Sequence, residues 1–462
     1  MPQTQEKLNI ETPERVILVG VDTGTEPDFD ACMEEMSSLA EACRMEVVGT
    51  LTQKMEKSHG SLYVGTGKAE EIAEYGAALE ADIVIFYDNL SPAQLRNLQK
   101  AIELPVMDRT ALILEIFEQR AKSREAKLQV EVAKLQYLLP RLVGMHEALT
   151  RQAGTSGSMS SRGVGEKKLE LDRRKINLRI NELKKELAAV AAERETKRKQ
   201  RTAARIPLVG LVGYTNVGKS TLLNAMLDKY MTGESKAARQ DGEEGRGEGD
   251  GHGGGQSGDR GSGHVREKKV HAADMLFATL DTTVRRIETG NNQDFLLSDT
   301  VGFIHRIPTG LIKAFHSTLE EVKGADLLLH VVDYADEHHP QQMHDTLETL
   351  RELNAAHIPL ITVYNKADKC MDELPFQMDG ERIYMSASQG EGIAELVAMI
   401  LAKVYDSYVA AEFLLPYSEG ATLSYFMETA KVLAQDYRED GVWLSVRCHR
   451  ADKKKYKEYA TQ

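Results

Sequence analysis

Gly213-Tyr-Thr-Asn-Val-Gly-Lys-Ser220 spaces two glycines, a lysine and a hydroxyl so that together they can hold a phosphate chain. Before it, Pro207-Leu-Val-Gly-Leu-Val212 reads as a buried strand, and Thr221-Leu-Leu-Asn-Ala-Met-Leu227 after it reads as a helix. Strand, loop and helix in that order give the motif its specificity. Gly213 and Gly218 let backbone N–H groups turn inward, and the helix N-terminus adds the positive end of its dipole. Lys219 is placed to reach the β- and γ-phosphates, Ser220 to ligate Mg²⁺, and Tyr214, Thr215, Asn216, Val217 and Thr221 to complete the cradle.

The loop alone does not choose between adenine and guanine. Asn365-Lys366-Ala-Asp368, after the strand Pro359–Tyr364, puts a carboxylate where it can accept from the N1–H and 2-amino group of guanine; adenine lacks that pair of donors. Ser386-Ala387-Ser388, after Arg382–Met385, offers a backbone N–H to the guanine O6. Asp299-Thr300-Val301-Gly302 ends the strand Phe295–Ser298; it supplies a carboxylate to Mg²⁺ through water and a glycine N–H to the γ-phosphate. Four motifs in this order predict a site for GTP and GDP, with Lys219, Thr279 and Gly302 as the groups acting on the transferred phosphoryl. Thr279 is chosen from Thr279, Thr282 and Thr283 as the direct Mg²⁺ ligand beside Ser220. Phe303 stands where many GTPases carry a glutamine that orients the attacking water, which predicts slow unaided hydrolysis. Asn216 has two readings, a residue that fits the loop backbone or a ligand for K⁺.

The elements that must position these residues alternate as strand and helix, so the expected class is α/β. Residues 1–110 form an N-terminal α/β domain, with strands at Val16–Gly20, Met45–Leu51 and Asp82–Phe86. Residues 111–205 form a long antiparallel helical hairpin. Leu128, Val132, Leu135, Leu139 and Leu142 recur at helical spacing on one arm; Leu169, Ile176, Leu183 and Val190 recur every seventh residue on the other. A Gly/Ser/Arg loop over 143–166 joins the arms, the first helix running from Ala111 to Leu142 and the second beginning near Lys167. Residues 206–404 form the GTPase domain, a mostly parallel sheet with flanking helices. It carries an insertion over 233–268 expected to be disordered, because Asp241–Gly263 contains no aliphatic or aromatic residue. Residues 405–462 form a small C-terminal α/β domain, with a helix near Leu423–Gln435, a strand at Gly441–Val446 and Trp443 as a packing residue.

A net charge of −13 argues against a chain that coats nucleic acid or membrane along its whole length. Between Lys167 and Arg205, however, fourteen Lys or Arg face six Asp or Glu. Such a run is either a solvated helix face or the footprint of an RNA contact. The four cysteines lack metal-type spacing; Cys32 and Cys43 read as buried free thiols, which suits a reducing cytoplasm. Met1–Thr12 has no apolar signal segment, and no apolar run has transmembrane length.

Beyond the nucleotide motifs, the chain resembles the HflX family of ribosome-associated GTPases from about residue 14 to 450. Tyr63-Val-Gly-Thr-Gly-Lys68, Leu90-Ser-Pro-Ala-Gln94, Asp108-Arg-Thr110, Leu128-Gln-Val-Glu131, Leu138-Leu-Pro-Arg-Leu142, Gly163-Val-Gly-Glu166 and Asp172-Arg-Arg174 resemble that family's N-terminal domain and hairpin. Ala273–Asp281 and Asp299–Ile304 resemble its switch segments. The resemblance implies a monomeric protein that docks on the large ribosomal subunit through the N-terminal domain and hairpin. The hairpin loop would face ribosomal RNA, and the outcome would be dissociation or rescue of ribosomes under stress. It also brings the basic stretch to the RNA reading. Three features depart from the family pattern: the rewritten loop Ser156–Ser161 with Val164 for proline, Thr282 where proline is common, and the Gly-rich insertion.

Overall fold

The computed structural model describes residues 13–26, 28–152, 159–203, 206–230, 276–277, 283–289, 293–305, 322–372, 374 and 379–461. The chain divides into two compact units. The first comprises Met1–Thr196 with Asp274–Asp281 and Ile304–Thr318; the second comprises Lys197–Ala273, Thr282–Phe303 and Leu319–Gln462.

The first unit begins with β1 (Arg15–Asp22), α1 (Phe29–Ala42), β2 (Glu46–Lys54), α2 (Thr66–Ala78), β3 (Ile83–Phe86), α3 (Pro92–Ile102), β4 (Val106–Asp108) and α4 (Arg109–Arg120). Its sheet runs β2-β1-β3-β4 with every pairing parallel. The central β1 is covered on both faces, which is why Val16–Val19 read as one apolar run instead of alternating. Helix starts follow local capping. Asp28 accepts from the Ala31 N–H, Ser91 and Gln94 form a reciprocal capping box with Pro92 at the first turn, and Asp108 accepts from the Ala111 N–H.

The helix expected over Ala111–Leu142 is two helices. α4 stops at Arg120, Ala121 is extended, and α5 (Arg124–Gln152) starts anew, with the Ser123 hydroxyl accepting from the Ala126 N–H at 3.1 Å. The reason is packing: Leu112, Ile113, Leu114, Ile116 and Phe117 are buried in α4, with Phe117 edge-on to Phe277 at 4.8 Å. α5 and α6 (Met159–Ala203) form the hairpin. Glu131 pairs with Arg179 and Arg124 with Glu186, so seven residues back along α5 match seven forward along α6, an antiparallel arrangement. Leu128, Val132 and Leu183 form its apolar seam with Leu135 and Leu187. Both helices extend into the Gly/Ser/Arg stretch, α5 to Gln152 and α6 from Met159, further than composition predicts. Glycine in a helix costs only about 1 kcal/mol relative to alanine, so a long helix already nucleated can absorb it.

The second unit contains β5 (Leu208–Val212), α7 (Lys219–Tyr230), β6 (Thr283–Ile287), β7 (Phe295–Asp299), β8 (Leu327–Asp333), α8 (His339–Glu352), β9 (Leu360–Asn365), β10 (Arg382–Tyr384) and α9 (Ile393–Val404). The sheet order is β10-β9-β8-β5-β7-β6, parallel except for the edge strand β6. The Gly-rich insertion at 233–268, and the tip of the hairpin loop at 153–158, lie outside the described residues.

The C-terminal part has β11 (Tyr408–Leu415), α10 (Gly420–Thr429), β12 (Lys431–Arg438), β13 (Gly441–His449), α11 (Arg450–Lys455) and β14 (Ala460–Thr461), in an antiparallel sheet of order β12-β13-β11-β14. The helix expected to reach Gln435 ends at Thr429, because Lys431–Arg438 pairs with β13. Phe413 stacked on Phe426 at 4.7 Å centres this core. Trp443 is half-buried, with the Arg438 guanidinium 4.9 Å from its ring centre. The thiol expectation needs correcting for Cys32: Cys43 is buried but Cys32, in the first turn of α1, is only half-buried.

Candidate functional site

Parallel strands bring their carboxyl ends to one edge, and in the second unit that edge collects the predicted nucleotide motifs. β5 ends at Val212 and releases the loop at Gly213, whose φ of +149° L side chains rarely adopt. A Cβ there would lie 2.2 Å from the Val331 carbonyl oxygen. α7 then begins at Lys219, aiming its first backbone N–H groups at the loop.

Three contacts close the loop. The Lys219 ammonium donates to the carbonyls of Gly213 and Tyr214 at 3.1 and 2.6 Å, inside the cradle it is expected to vacate for phosphate. The Asn365 amide donates to the Val217 carbonyl at 2.8 Å, while its oxygen accepts from the Ala387 N–H at 2.9 Å. One buried side chain thus binds the phosphate loop to the Ser386–Ser388 loop. Lys366, in the left-handed region at φ 59°, donates to the Asn216 carbonyl at 2.9 Å and pairs with Asp333 at 2.7 Å. Asp368, in a short 3-10 turn, is exposed.

Asp299 ends β7 fully buried and accepts from the Ser220 hydroxyl at 3.0 Å. A buried carboxylate joined to a hydroxyl is an all-oxygen donor pair, which suits Mg²⁺. Thr300 is turned inward, its hydroxyl donating to the Leu211 carbonyl at 2.5 Å, so it anchors the strand end from below. Gly302 comes so near the phosphate loop that a Cβ would lie 2.8 Å from the Thr215 methyl and 3.0 Å from the Lys219 ammonium. Phe303 pairs its backbone with the loop: its N–H donates to the Gly213 carbonyl at 3.0 Å and its carbonyl accepts from the Thr215 N–H at 2.8 Å. Its ring is 1% exposed, so it belongs to the core and offers nothing to a water. Val301, between Thr300 and Gly302, is half-buried. Asn216 is exposed with φ 59°. Thr279 lies outside the described residues.

Electrostatics add a residue that the sequence reading missed. Burial lowers the Lys219 ammonium to about 8, partly opposed by Asp299. His330 on β8 is 2% exposed and lowered to about 4, first by burial and then by the Lys219 charge. In Leu327-Leu-Leu-His-Val-Val332 it is one polar residue in an apolar run, and only the pairing of β8 with β5 puts it under the loop. Asp333, which holds Lys366, was also missed; its place at the carboxyl end of β8 was the available signal.

Comparison with known proteins agrees with this geometry. Residues 30–118 match a family model described as the N-terminal region of GTP-binding GTPases, and 120–201 match its middle region. Residues 208–243 and 263–366 match one described as 50S ribosome-binding GTPase. The GTPase HflX of Lacrimispora saccharolytica is 39% identical over 437 residues, covering 94% of this chain and 93% of that protein. The GTPase HflX of Escherichia coli is 37% identical over 440 residues, covering 94% and 93%. A GTP-binding protein of Sulfolobus solfataricus, solved with GDP, aligns at 22% identity and a TM-score of 0.40 over 85% of this chain and 99% of its own. With 37–39% identity to curated relatives over 94% of the chain, and the motifs expected to hold phosphate, Mg²⁺ and guanine gathered at one sheet edge, the chain belongs to the HflX family of P-loop GTPases.

Proposed function

We propose that this GTPase docks on the large ribosomal subunit through its N-terminal domain and hairpin and promotes ribosome dissociation or rescue under stress, as a cytoplasmic monomer. The observation that carries the reading is Phe303. The position that would orient the attacking water is a buried ring whose backbone is bonded to Gly213 and Thr215, so among the described residues the phosphate-binding groups are present but no side chain at this position can place water. A docked surface would supply that order, and the match to a 50S ribosome-binding GTPase family, with the basic run over 167–205, supports the ribosome as that surface.

In this reading Gly213–Thr221 cradle the phosphates, with Lys219 on the β- and γ-phosphates. Asp368 accepts from guanine, Asn365 and Lys366 hold the loops together, and Ser386–Ser388 present N–H to O6. Ser220 and Thr279 would hold Mg²⁺ directly and Asp299 through water; the ion neutralises charge on the phosphate oxygens when bound. The Gly302 N–H donates to the γ-phosphate, so loss of that group releases the segment following β7. Asn216 is the candidate K⁺ ligand in the loop, and equal hydrolysis rates in K⁺ and Na⁺ would remove that role.

Phe303 also favours a second reading, an anti-association or hibernation factor in which nucleotide tunes affinity and hydrolysis is incidental. Both readings require nucleotide-dependent docking. Sedimentation with large subunits should recover more protein with a non-hydrolysable GTP analogue than with GDP. Equal recovery in the two states would defeat both.

A further inference from the structure

The four-stranded parallel sheet of the first unit has a switch point of its own. In the order β2-β1-β3-β4 the chain leaves β1 toward β2 on one side and continues from β3 to β4 on the other. Ligands of open parallel sheets sit outside the carboxyl ends of the strands at such a point. That edge here carries Glu26 in the loop after β1, Cys32 in α1, Tyr87 directly after β3 and Arg109 at the start of α4. No residue of the nucleotide site is among them.

His305 completes the group. Its Nε2 lies 3.1 Å from Glu26 Oε2, with the two side chains 15% and 6% exposed. A carboxylate oxygen of Glu26, the thiol sulfur of Cys32 and a ring nitrogen of His305 all lie within 4.8 Å of one another. Tyr87 is buried at the same edge, its ring edge-on to Phe29 at 6.0 Å. Arg109 pairs with Glu35 at 2.5 Å with its guanidinium over the Tyr87 ring, and the opposite charges of the two act on Cys32 together with Glu26.

The donor types decide what could bind. Thiolate, imidazole and carboxylate together are the ligands of Zn²⁺ and similar borderline-soft cations; Mg²⁺ and Ca²⁺ take oxygen alone. Bond lengths of about 2.0–2.3 Å in a tetrahedron put ligand atoms roughly 3.5 Å apart, so three donors within 4.8 Å need to close by about 1.3 Å at most. Three protein ligands leave the fourth position to water. We propose that Glu26, Cys32 and His305 form a site for a thiophilic divalent cation of the Zn²⁺ class at the carboxyl edge of the N-terminal sheet. The site draws together residues up to 279 positions apart, all within the first unit.

The test uses full-length, chelator-stripped protein with Mg²⁺ and GDP in excess to fill the nucleotide site. Titration with Co²⁺ should raise a near-ultraviolet thiolate-to-cobalt absorption that saturates at one equivalent and is removed by Zn²⁺. Cys32→Ser should abolish that absorption, and His305→Gln and Glu26→Gln should each weaken Co²⁺ binding at least tenfold. Cys370→Ser, which removes the exposed thiol, should leave it unchanged. Absence of the absorption in the unmodified protein would overturn the site and leave Glu26 and His305 as a hydrogen-bonded pair. So would an absorption that survives Cys32→Ser, or one indifferent to His305→Gln, a turn substitution that spares the α1 packing.

Discussion

Replacing Asn365 with alanine tests how the phosphate loop and the base loop are joined. Asn365 is 2% exposed and makes two bonds, to the Val217 carbonyl at 2.8 Å and from the Ala387 N–H at 2.9 Å. Alanine leaves one buried acceptor and one buried donor without partners, each costing about 1–3 kcal/mol. Both orphans lie in segments that must hold their shape for nucleotide, so much of the cost should appear in affinity. A loss of about 3 kcal/mol corresponds to GDP binding weakened by roughly 150-fold, since 1.4 kcal/mol is a factor of ten. The assay is equilibrium titration with a fluorescent GDP derivative, with circular dichroism to establish that Asn365→Ala is folded. Asn365→Asp refines the test. It can still accept from Ala387 but turns a carboxylate oxygen toward the Val217 carbonyl, so it should bind no better than the alanine variant. GDP affinity within threefold of the original for Asn365→Ala, or recovery by Asn365→Asp, would refute the reasoning.

Three other outcomes follow from the same site. Lys219 is lowered to about 8 in the free protein, and phosphates should return it toward its ordinary value. GDP binding at pH 8 should therefore take up about half a proton, and affinity should fall as pH rises above 8; calorimetry in buffers of different ionisation enthalpy reads the uptake, and none at pH 8 would contradict the burial argument. His330 is held at about 4 against 6.5 in an unfolded chain, so between those values the unfolded state binds a proton that the folded state refuses, and stability falls as pH drops through 6.5 toward 4. His330→Gln should lose about 2–3 kcal/mol less than the original between pH 7 and 4.5 in urea unfolding, whereas parallel losses would show that His330 does not titrate there. Asp368→Asn should shift preference from guanine to xanthine nucleotides in competition binding; unchanged GTP selectivity would remove Asp368 from base recognition.

The parts of the nucleotide site that were legible in the sequence are those in which covalent spacing imposes geometry. Gly213 through Ser220 must form one loop because strand and helix flank it, and Asn365 through Asp368 follows a strand for the same reason. What escaped depended on strand neighbours far apart in the chain. His330 is one residue of an apolar run until β8 pairs with β5 and sets it beneath Lys219. Phe303 was legible as a missing glutamine but not as a ring sealed into the core, since its burial comes from the backbone pairing with Tyr214. The helix break at Ala121–Ser123 was masked because apolar spacing continues across it, although the partners change from the N-terminal core to the hairpin seam. In the C-terminal part, Leu423–Gln435 carries helical spacing, yet pairing with β13 claims everything after Ala430. Glu26, Cys32 and His305 carry no motif spacing at all; only the fold brings them together.

The most direct measurement is the single-turnover rate of GTP hydrolysis with and without large ribosomal subunits. With Phe303 buried and the phosphate loop otherwise complete, the account predicts a slow rate alone and an increase of at least tenfold when subunits are added. A fast rate in the isolated protein, or a rate that subunits leave unchanged, would contradict it.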